Sequence, residues 1–229
     1  MNNIAIIPAR GGSKRIHLKN IKGFLGMPII AYSIKAALAS GAFDEVMVST
    51  DDGEIAETAK AYGAKVPFMR SSENSSDMAA TPPVLIEVVE GYAKRGAIYD
   101  NICCVYPCAP FVTAKRLRDG MEMLARERVD SVFTVARFSY PPQRCLVIRN
   151  GRVEMLYPEN YSARSQDLEP LYHDAGQFYC VTRHALLTQK MLFCRSSLPI
   201  VLDDVEVQDI DTEDDWKAAE IKYRILYGL

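Results

Sequence analysis

No sign of charge dominates this chain. Its 229 residues carry 27 lysines and arginines against 29 acids, a formal net charge of −2. That balance argues against a general nucleic-acid partner, because such binders are normally basic overall. Long apolar runs are lacking as well. Nothing approaches bilayer-spanning length, and the first apolar run, residues 4–9, is too short for a secretory h-region and has cations after it rather than before it. Neither a CxxC pair nor a cluster of histidine with cysteine occurs among the three histidines and six cysteines, which removes the usual zinc patterns. Most of the cysteines sit in apolar, strand-like contexts such as "NICCVYP" and "QFYCV". A chain this long and this poor in cysteine is no disulfide scaffold, so the expectation is buried, reduced thiols in a cytoplasmic protein. Internal repeats and low-complexity tracts are absent.

What is present begins with "IPARGGSKRIHLKN", residues 7–20. A Gly-Gly-Ser turn follows a continuous apolar run, and Arg10, Lys14, Arg15 and Lys19 surround and follow the turn. The stretch is neither a Walker A loop nor a GxGxxG fingerprint. Gly11, Gly12 and Ser13 suggest a backbone nest for an anion, and the cations with Asn20 point to a polyphosphate. A solvated basic loop is the plainer alternative.

Along the chain, short β-rich runs alternate with helical patterns. "NIAIIPA", "DEVMVST", "KVPFMR", "NICCVYP" and "DSVFTVAR" read as strands. Between them lie helices in "MPIIAYSIKAALASG", closing on Gly41, "DDGEIAETAKAYG", closing on Gly63, "PPVLIEVVEGYAKRG", and "TAKRLRDGMEMLARER", capped by Thr113. This alternation predicts βαβ units around a mostly parallel sheet. Residues 138–178 break the rhythm: "CLVIRNGRVEML" is a hairpin around Asn150-Gly151, and its surroundings hold prolines and tyrosines but no long helix. They read as an excursion from a single domain spanning 1–229. "GQFYCVTR", "LPIVLDD" and a terminal amphipathic helix return the chain to its main body.

A polyphosphate site normally needs a divalent cation, hence carboxylates. In "QDIDTEDDW", Asp209 and Asp211 are two apart and face the same way on an extended chain, so they can share Mg²⁺. Glu213, Asp214 and Asp215 instead read as the first turn of a helix capped by Thr212. In open parallel sheets ligands bind at the carboxyl ends of strands, which is where the Gly-Gly-Ser loop falls.

"IPARGGSKRIHLKN", "STDDGEIAETAKAYGAKV", "YPCAPF" and "QDIDTEDDW", in this order, resemble the cytidylyltransferases that activate nonulosonic acids, and the likeness covers essentially the whole chain. "YSARSQDLEPLYHDAGQFY" is most similar to the pseudaminic acid branch. Tyr106 stands where the sialic acid branch has the Gln of Gln-Pro-Thr-Ser-Pro, and Ile16-His17 is a second departure; both point away from sialic acid as substrate. The resemblance implies a three-layer α/β/α nucleotidyltransferase fold, Rossmann-like. It also implies transfer of CMP from CTP to the anomeric hydroxyl of a nine-carbon α-keto acid, with release of pyrophosphate. Arg10, Lys14 and Lys19 would contact phosphates, with Asn20 near the triphosphate or ribose. Arg70 would read cytosine, Asp77 and Thr81 would close over the base, and Asp209 and Asp211 would hold Mg²⁺. Asp209 and a second Mg²⁺ are the two candidates for activating the anomeric hydroxyl. Arg164, Gln166, His173, Asp174 and Gln177 are the sugar-site candidates in and beside the excursion. The resemblance further implies a homodimer in which the excursion reaches the partner. The alternatives are activation of sialic acid, legionaminic acid or a sugar phosphate, and a catalytically silent nucleotide-binding module.

Overall fold

The computed structural model of the protein describes residues 1–76 and 78–229. The first apolar run forms strand β1 (Asn3–Pro8). Ile4 and Ile6 enter one apolar layer while Ala5 and Ile7 enter the other, as a strand covered on both faces requires. A small ribbon of β2 (Gly23–Phe24) and β3 (Met27–Pro28) precedes α1 (Ile29–Ser40), which ends on Gly41 at a φ of 64°. Then come β4 (Glu45–Ser49), α2 (Gly53–Ala61), α3 (Thr81–Ala93), β5 (Asn101–Val105), α4 (Ala114–Glu127) and β6 (Ser131–Arg137). Thr113 caps α4 as expected, accepting from the Arg116 amide at 3.2 Å. The hairpin of β7 (Leu146–Arg149) and β8 (Arg152–Met155) turns on Asn150 and Gly151, both at positive φ, as a type I′ turn demands. The chain closes with β9 (Tyr172–Thr182), α5 (Arg183–Gln189), β10 (Ser197–Leu202) and α6 (Glu213–Tyr227).

The six-stranded sheet has the order β10-β6-β9-β5-β1-β4. β1 is parallel to both β4 and β5, and β10 to β6, while β9 runs antiparallel between β5 and β6. Helices α1, α2 and α4 pack on one face, and α3 and α5 on the other. A third cluster gathers Ile16, Phe24, Tyr32, Ile210 and Trp216 and docks α6 against the β2–β3 ribbon. β4 lies on one side of β1 and β5 on the other, so the chain reverses direction across the sheet at β1. The crevice beyond the carboxyl ends of β1 and β5 is the place such sheets bind ligands.

Three expectations need correction. "KVPFMR" is not a strand: Lys65 makes one bridge to Met47, and Pro67 then removes a ladder donor. β9 starts at Tyr172, inside the expected excursion, and leads into α5, a helix that no pattern in the sequence marks. The thiols are all free, but Cys145 is exposed, because the hairpin it introduces stands out into solvent: Leu146 is 65% and Ile148 77% exposed.

Candidate functional site

A cavity of 280 Å³ opens at the crevice, lined by residues of the loops after β1 and β5, Arg70, Thr81 and the segment 208–211. Of the residues expected to meet CTP or metal, it brings together Arg10, Ser13, Lys14, Lys19, Asn20, Arg70, Thr81, Tyr106, Asp209 and Asp211. Asp77 lies outside the described residues.

The loop achieves this without a nest of amides. The Gly11 amide donates to Asp51 Oδ1 at 3.0 Å, and the Ser13 amide to the Gly11 carbonyl at 2.9 Å; neither glycine has a left-handed φ. Gly11 is glycine because a Cβ there would sit 2.7 Å from Asp52 Oδ2, whereas a Cβ on Gly12 would meet nothing within 4 Å. The positive potential therefore comes from side chains. Asn20 anchors them: its Nδ2 donates to the Arg10 carbonyl at 2.8 Å, and its Oδ1 accepts from the Cys108 thiol at 3.2 Å. Burial pushes the Cys108 thiol up to about 12, so it stays protonated and able to donate.

The acidic side of the cleft is built by alternation. Ile210 is buried in the third cluster, which turns Asp209 and Asp211 together toward the cavity. Lys19 Nζ donates to the Ile210 carbonyl at 2.8 Å and stands 3.5 Å from Asp211. Arg15 Nη1 meets Asp211 Oδ2 at 2.8 Å. Burial raises the Asp209 carboxyl above its ordinary value, with the neighbouring Asp211 charge adding to the shift. Thr212 caps α6 in a reciprocal box with Asp215, so Glu213, Asp214 and Asp215 serve the helix as expected. Arg15, Gln208 and Cys108 also line the cavity, and sequence reasoning assigns none of them a role there. The only sequence signal for Arg15 is its membership of the cation cluster, and Cys108 is marked only by its place in "YPCAPF".

Arg70, buried, lines the same cavity. Its Nε donates to Ser49 Oγ at 3.0 Å and its Nη2 to the Ser49 carbonyl, while its own amide donates to the Thr50 carbonyl at 2.8 Å. Burial lowers its pKa, though an arginine remains charged. Tyr106 is held by backbone on two sides: its amide donates to the Gln177 carbonyl, and its carbonyl accepts from Ser33 Oγ, both at 2.8 Å.

The sugar-site candidates are dispersed. Arg164 is exposed and pairs with Asp167 at 2.7 Å. Gln166 lines a second cavity of 590 Å³ beside Phe138 and Asp203. His173 packs on Phe138 with ring centroids 4.9 Å apart, its Nδ1 2.8 Å from the Asp174 carbonyl. Gln177 is buried and donates to the Glu206 carbonyl at 2.5 Å. Asp174 accepts from the Gly176 amide and the Tyr179 hydroxyl. In this single chain none of the five lines the first cavity, although Gly176 does.

A family model described as Cytidylyltransferase matches residues 4–179. The chain belongs to the cytidylyltransferase family. It is 44% identical over 226 residues to a pseudaminic acid cytidylyltransferase of Campylobacter jejuni, covering 98% of this chain and 97% of that protein. It is 32% identical to a CMP-N,N'-diacetyllegionaminic acid synthase of Legionella pneumophila, over 96% of this chain and 95% of that one. Among solved structures, a CMP:2-keto-3-deoxy-manno-octonic acid synthetase complexed with CTP superposes over all of both chains with a TM-score of 0.71 at 18% identity, a likeness of fold. The resemblance seen in the motifs thus holds for family and architecture. The enzyme is a nucleotidyltransferase.

Proposed function

We propose that this cytidylyltransferase moves CMP from CTP to the anomeric hydroxyl of a nonulosonic acid, with pseudaminic acid as first choice, and releases pyrophosphate. The observation that carries this reading is one cleft lined together by Arg10, Lys14, Lys19, Arg70, Asp209 and Asp211. The near-complete coverage of a relative with that named activity supports it. In-line attack on the α-phosphorus is governed by positioning and by neutralisation of developing charge. The loop cations fit the triphosphate and the departing pyrophosphate, and Arg70 presents rigid N–H donors suited to a base edge.

Asp209 and Asp211 would hold Mg²⁺. The donor set fits: two hard oxygen ligands face one cavity, and burial together with the Asp211 charge already disfavours ionised Asp209, a strain that a bound cation relieves. Among the described residues no group of three or more metal-ligating side chains occurs, which suits an ion that completes its shell with substrate phosphates and water. When bound it would supply charge neutralisation at the triphosphate.

Incubating the protein with CTP, Mg²⁺ and a panel of pseudaminic, legionaminic and sialic acids tests the reading by pyrophosphate release. Release with pseudaminic acid above the others is expected. Binding of CTP without release for any sugar would favour a silent nucleotide-binding module. The assembly proposed is a homodimer through the excursion. Ile148 and Val153 of a free two-stranded hairpin are 77% and 63% exposed, and such hairpins are marginal alone. Light scattering should give twice the chain's 25.6 kDa; a monomer at micromolar concentration refutes the dimer. A cytoplasmic location belongs to the same reading and is supported by the free thiols, which suit a reducing compartment. No helix among the described residues is long and apolar enough to cross a membrane.

A further inference from the structure

The loop after β1 is closed by one side chain. Asn20 belongs to a short 3-10 turn, Lys19–Ile21, in which the Ile21 and Lys22 amides donate to the Leu18 carbonyl at 2.9 and 3.0 Å. It is 5% exposed, and its Nδ2 donates to the Arg10 carbonyl at 2.8 Å, joining the two ends of the segment that carries Ser13, Lys14 and Arg15. A carbonyl only accepts, so the amide nitrogen must face Arg10 and the amide oxygen must face away from it. There the oxygen meets Cys108 Sγ at 3.2 Å, a partner 88 residues on. Cys108, Asn20 and Arg10 all line the cleft.

Cys108 stands on a fixed support. Two residues before it, the Tyr106 amide donates to the Gln177 carbonyl and the Tyr106 carbonyl accepts from Ser33 Oγ, both at 2.8 Å, which ties the loop after β5 to β9 and to α1. Burial, opposed by Lys19, keeps the thiol protonated, so it is the donor that the Asn20 oxygen requires. We propose that Cys108 is a positioning residue for CTP: its thiol holds the Asn20 amide in the orientation that closes the loop after β1, and so keeps Arg10, Lys14 and Lys19 arranged for the triphosphate. The identity of the ligand rests on the cytidylyl-transfer reading above. Without the thiol a buried acceptor is left unpaired, which is costly. The amide then gains by turning its oxygen to another donor, and in doing so releases the Arg10 carbonyl.

The test is titration calorimetry with CTP and Mg²⁺ in the absence of sugar, beside steady-state kinetics with pseudaminic acid. Cys108→Ala removes the donor, so the Kd and the KM for CTP should rise about fivefold while the KM for the sugar stays within about twofold. Cys108→Ser puts a hydroxyl donor back and should recover most of that loss. If the thiol acts through Asn20, adding Cys108→Ala to Asn20→Ala should weaken CTP binding no further. Unchanged CTP affinity in Cys108→Ala overturns the proposal, as do additive effects in the double variant. A serine variant as impaired as the alanine one also overturns it, because the volume of the sulfur and not its proton would then matter. So does an equal rise of both KM values with a lowered melting temperature, the mark of a merely structural cysteine. Should Cys108→Ala fail to fold, Cys108→Thr against Cys108→Val decides, since the two have one shape and differ in the hydroxyl: weaker CTP binding in the valine variant alone supports the proposal, and equal binding refutes it. The wild type separates the two readings. A wild type that does not bind CTP removes the proposed function and this inference together. One that binds CTP but transfers to no sugar removes the transfer reading alone, and one that does both, with variants that bind CTP as it does, removes this inference alone.

Discussion

Replacing Lys19 with alanine should cost the protein stability as well as substrate affinity, and the contacts set the size of each. Lys19 Nζ is 3.5 Å from Asp211, with the two side chains 24% and 36% exposed. An ion pair that long and that wet contributes about 0–1 kcal/mol. The 2.8 Å bond to the Ile210 carbonyl contributes more. Charged hydrogen bonds contribute about 1.5–3 kcal/mol, and an acceptor stranded in a buried segment adds a desolvation penalty; Ile210 is 2% exposed. A loss of about 2 kcal/mol corresponds to a melting temperature lower by roughly 4–8 °C for a chain of this size. If Lys19 also binds phosphate, the KM for CTP should rise by about tenfold or more, and CTP should raise the melting temperature of the variant less than that of the wild type. Thermal scans with and without CTP, beside steady-state kinetics, separate the two roles. A variant melting within about 1 °C of wild type would refute the carbonyl argument, and an unchanged KM for CTP would refute the phosphate role.

The remaining predictions probe other parts of the same machinery. Asp209→Asn keeps size but removes one of two crowded carboxylate charges, so turnover should fall by orders of magnitude and the Mg²⁺ requirement rise, with the circular dichroism spectrum and melting temperature preserved; activity that survives would show that the pair does not hold the metal. Gly11→Ala should displace Asp52 from the α2 cap, lowering stability by about 1 kcal/mol, while Gly12→Ala should be neutral, a contrast readable in one urea series. For acid sensitivity, burial pushes the Glu87 carboxyl up, but hydrogen bonds from Asn74 and from the amide and hydroxyl of Ser71 prevail and hold it below its ordinary value of 4.5. A lowered carboxyl stabilises the fold above the unfolded value and loses that contribution as pH falls through the folded one. The stability gap between wild type and Glu87→Gln should therefore be full near neutrality and shrink below about pH 4.5; a gap independent of pH would refute the coupling.

Much of the sheet could be read from the chain because its signals are local. Continuous apolar runs mark β1, β4 and β5 as covered on both faces, and capping residues such as Thr113 and Thr212 mark helix starts through bonds two or three residues away. The misreadings come from partners distant in sequence. "KVPFMR" has strand composition, but only Lys65 finds a ladder neighbour. β9 extends back to Tyr172 because β6 offers it a partner, and no composition signal in "LYHDAGQFY" announces that pairing.

The cleft divides along the same line. Cations clustered within ten residues and aspartates two apart are patterns a sequence displays. The contacts that give them a shared geometry join positions far apart: Lys19 to the Ile210 carbonyl, Arg15 to Asp211, and Cys108 to Asn20. Each of these is a side chain whose residue type carries an ordinary surface or core explanation on its own. Gly11 shows the consequence. Read locally it is an amide donor for an anion, yet the fold directs that amide to Asp51 and needs the glycine for clearance from Asp52. Its residue type was informative, but the reason for it lies in the loop forty residues on. That loop is also where Arg70 is tied down, through Ser49 and Thr50. The end of β4 and the short connection after it therefore brace the loop after β1 on one side and Arg70 on the other, so disturbing them should loosen both parts of the cleft together.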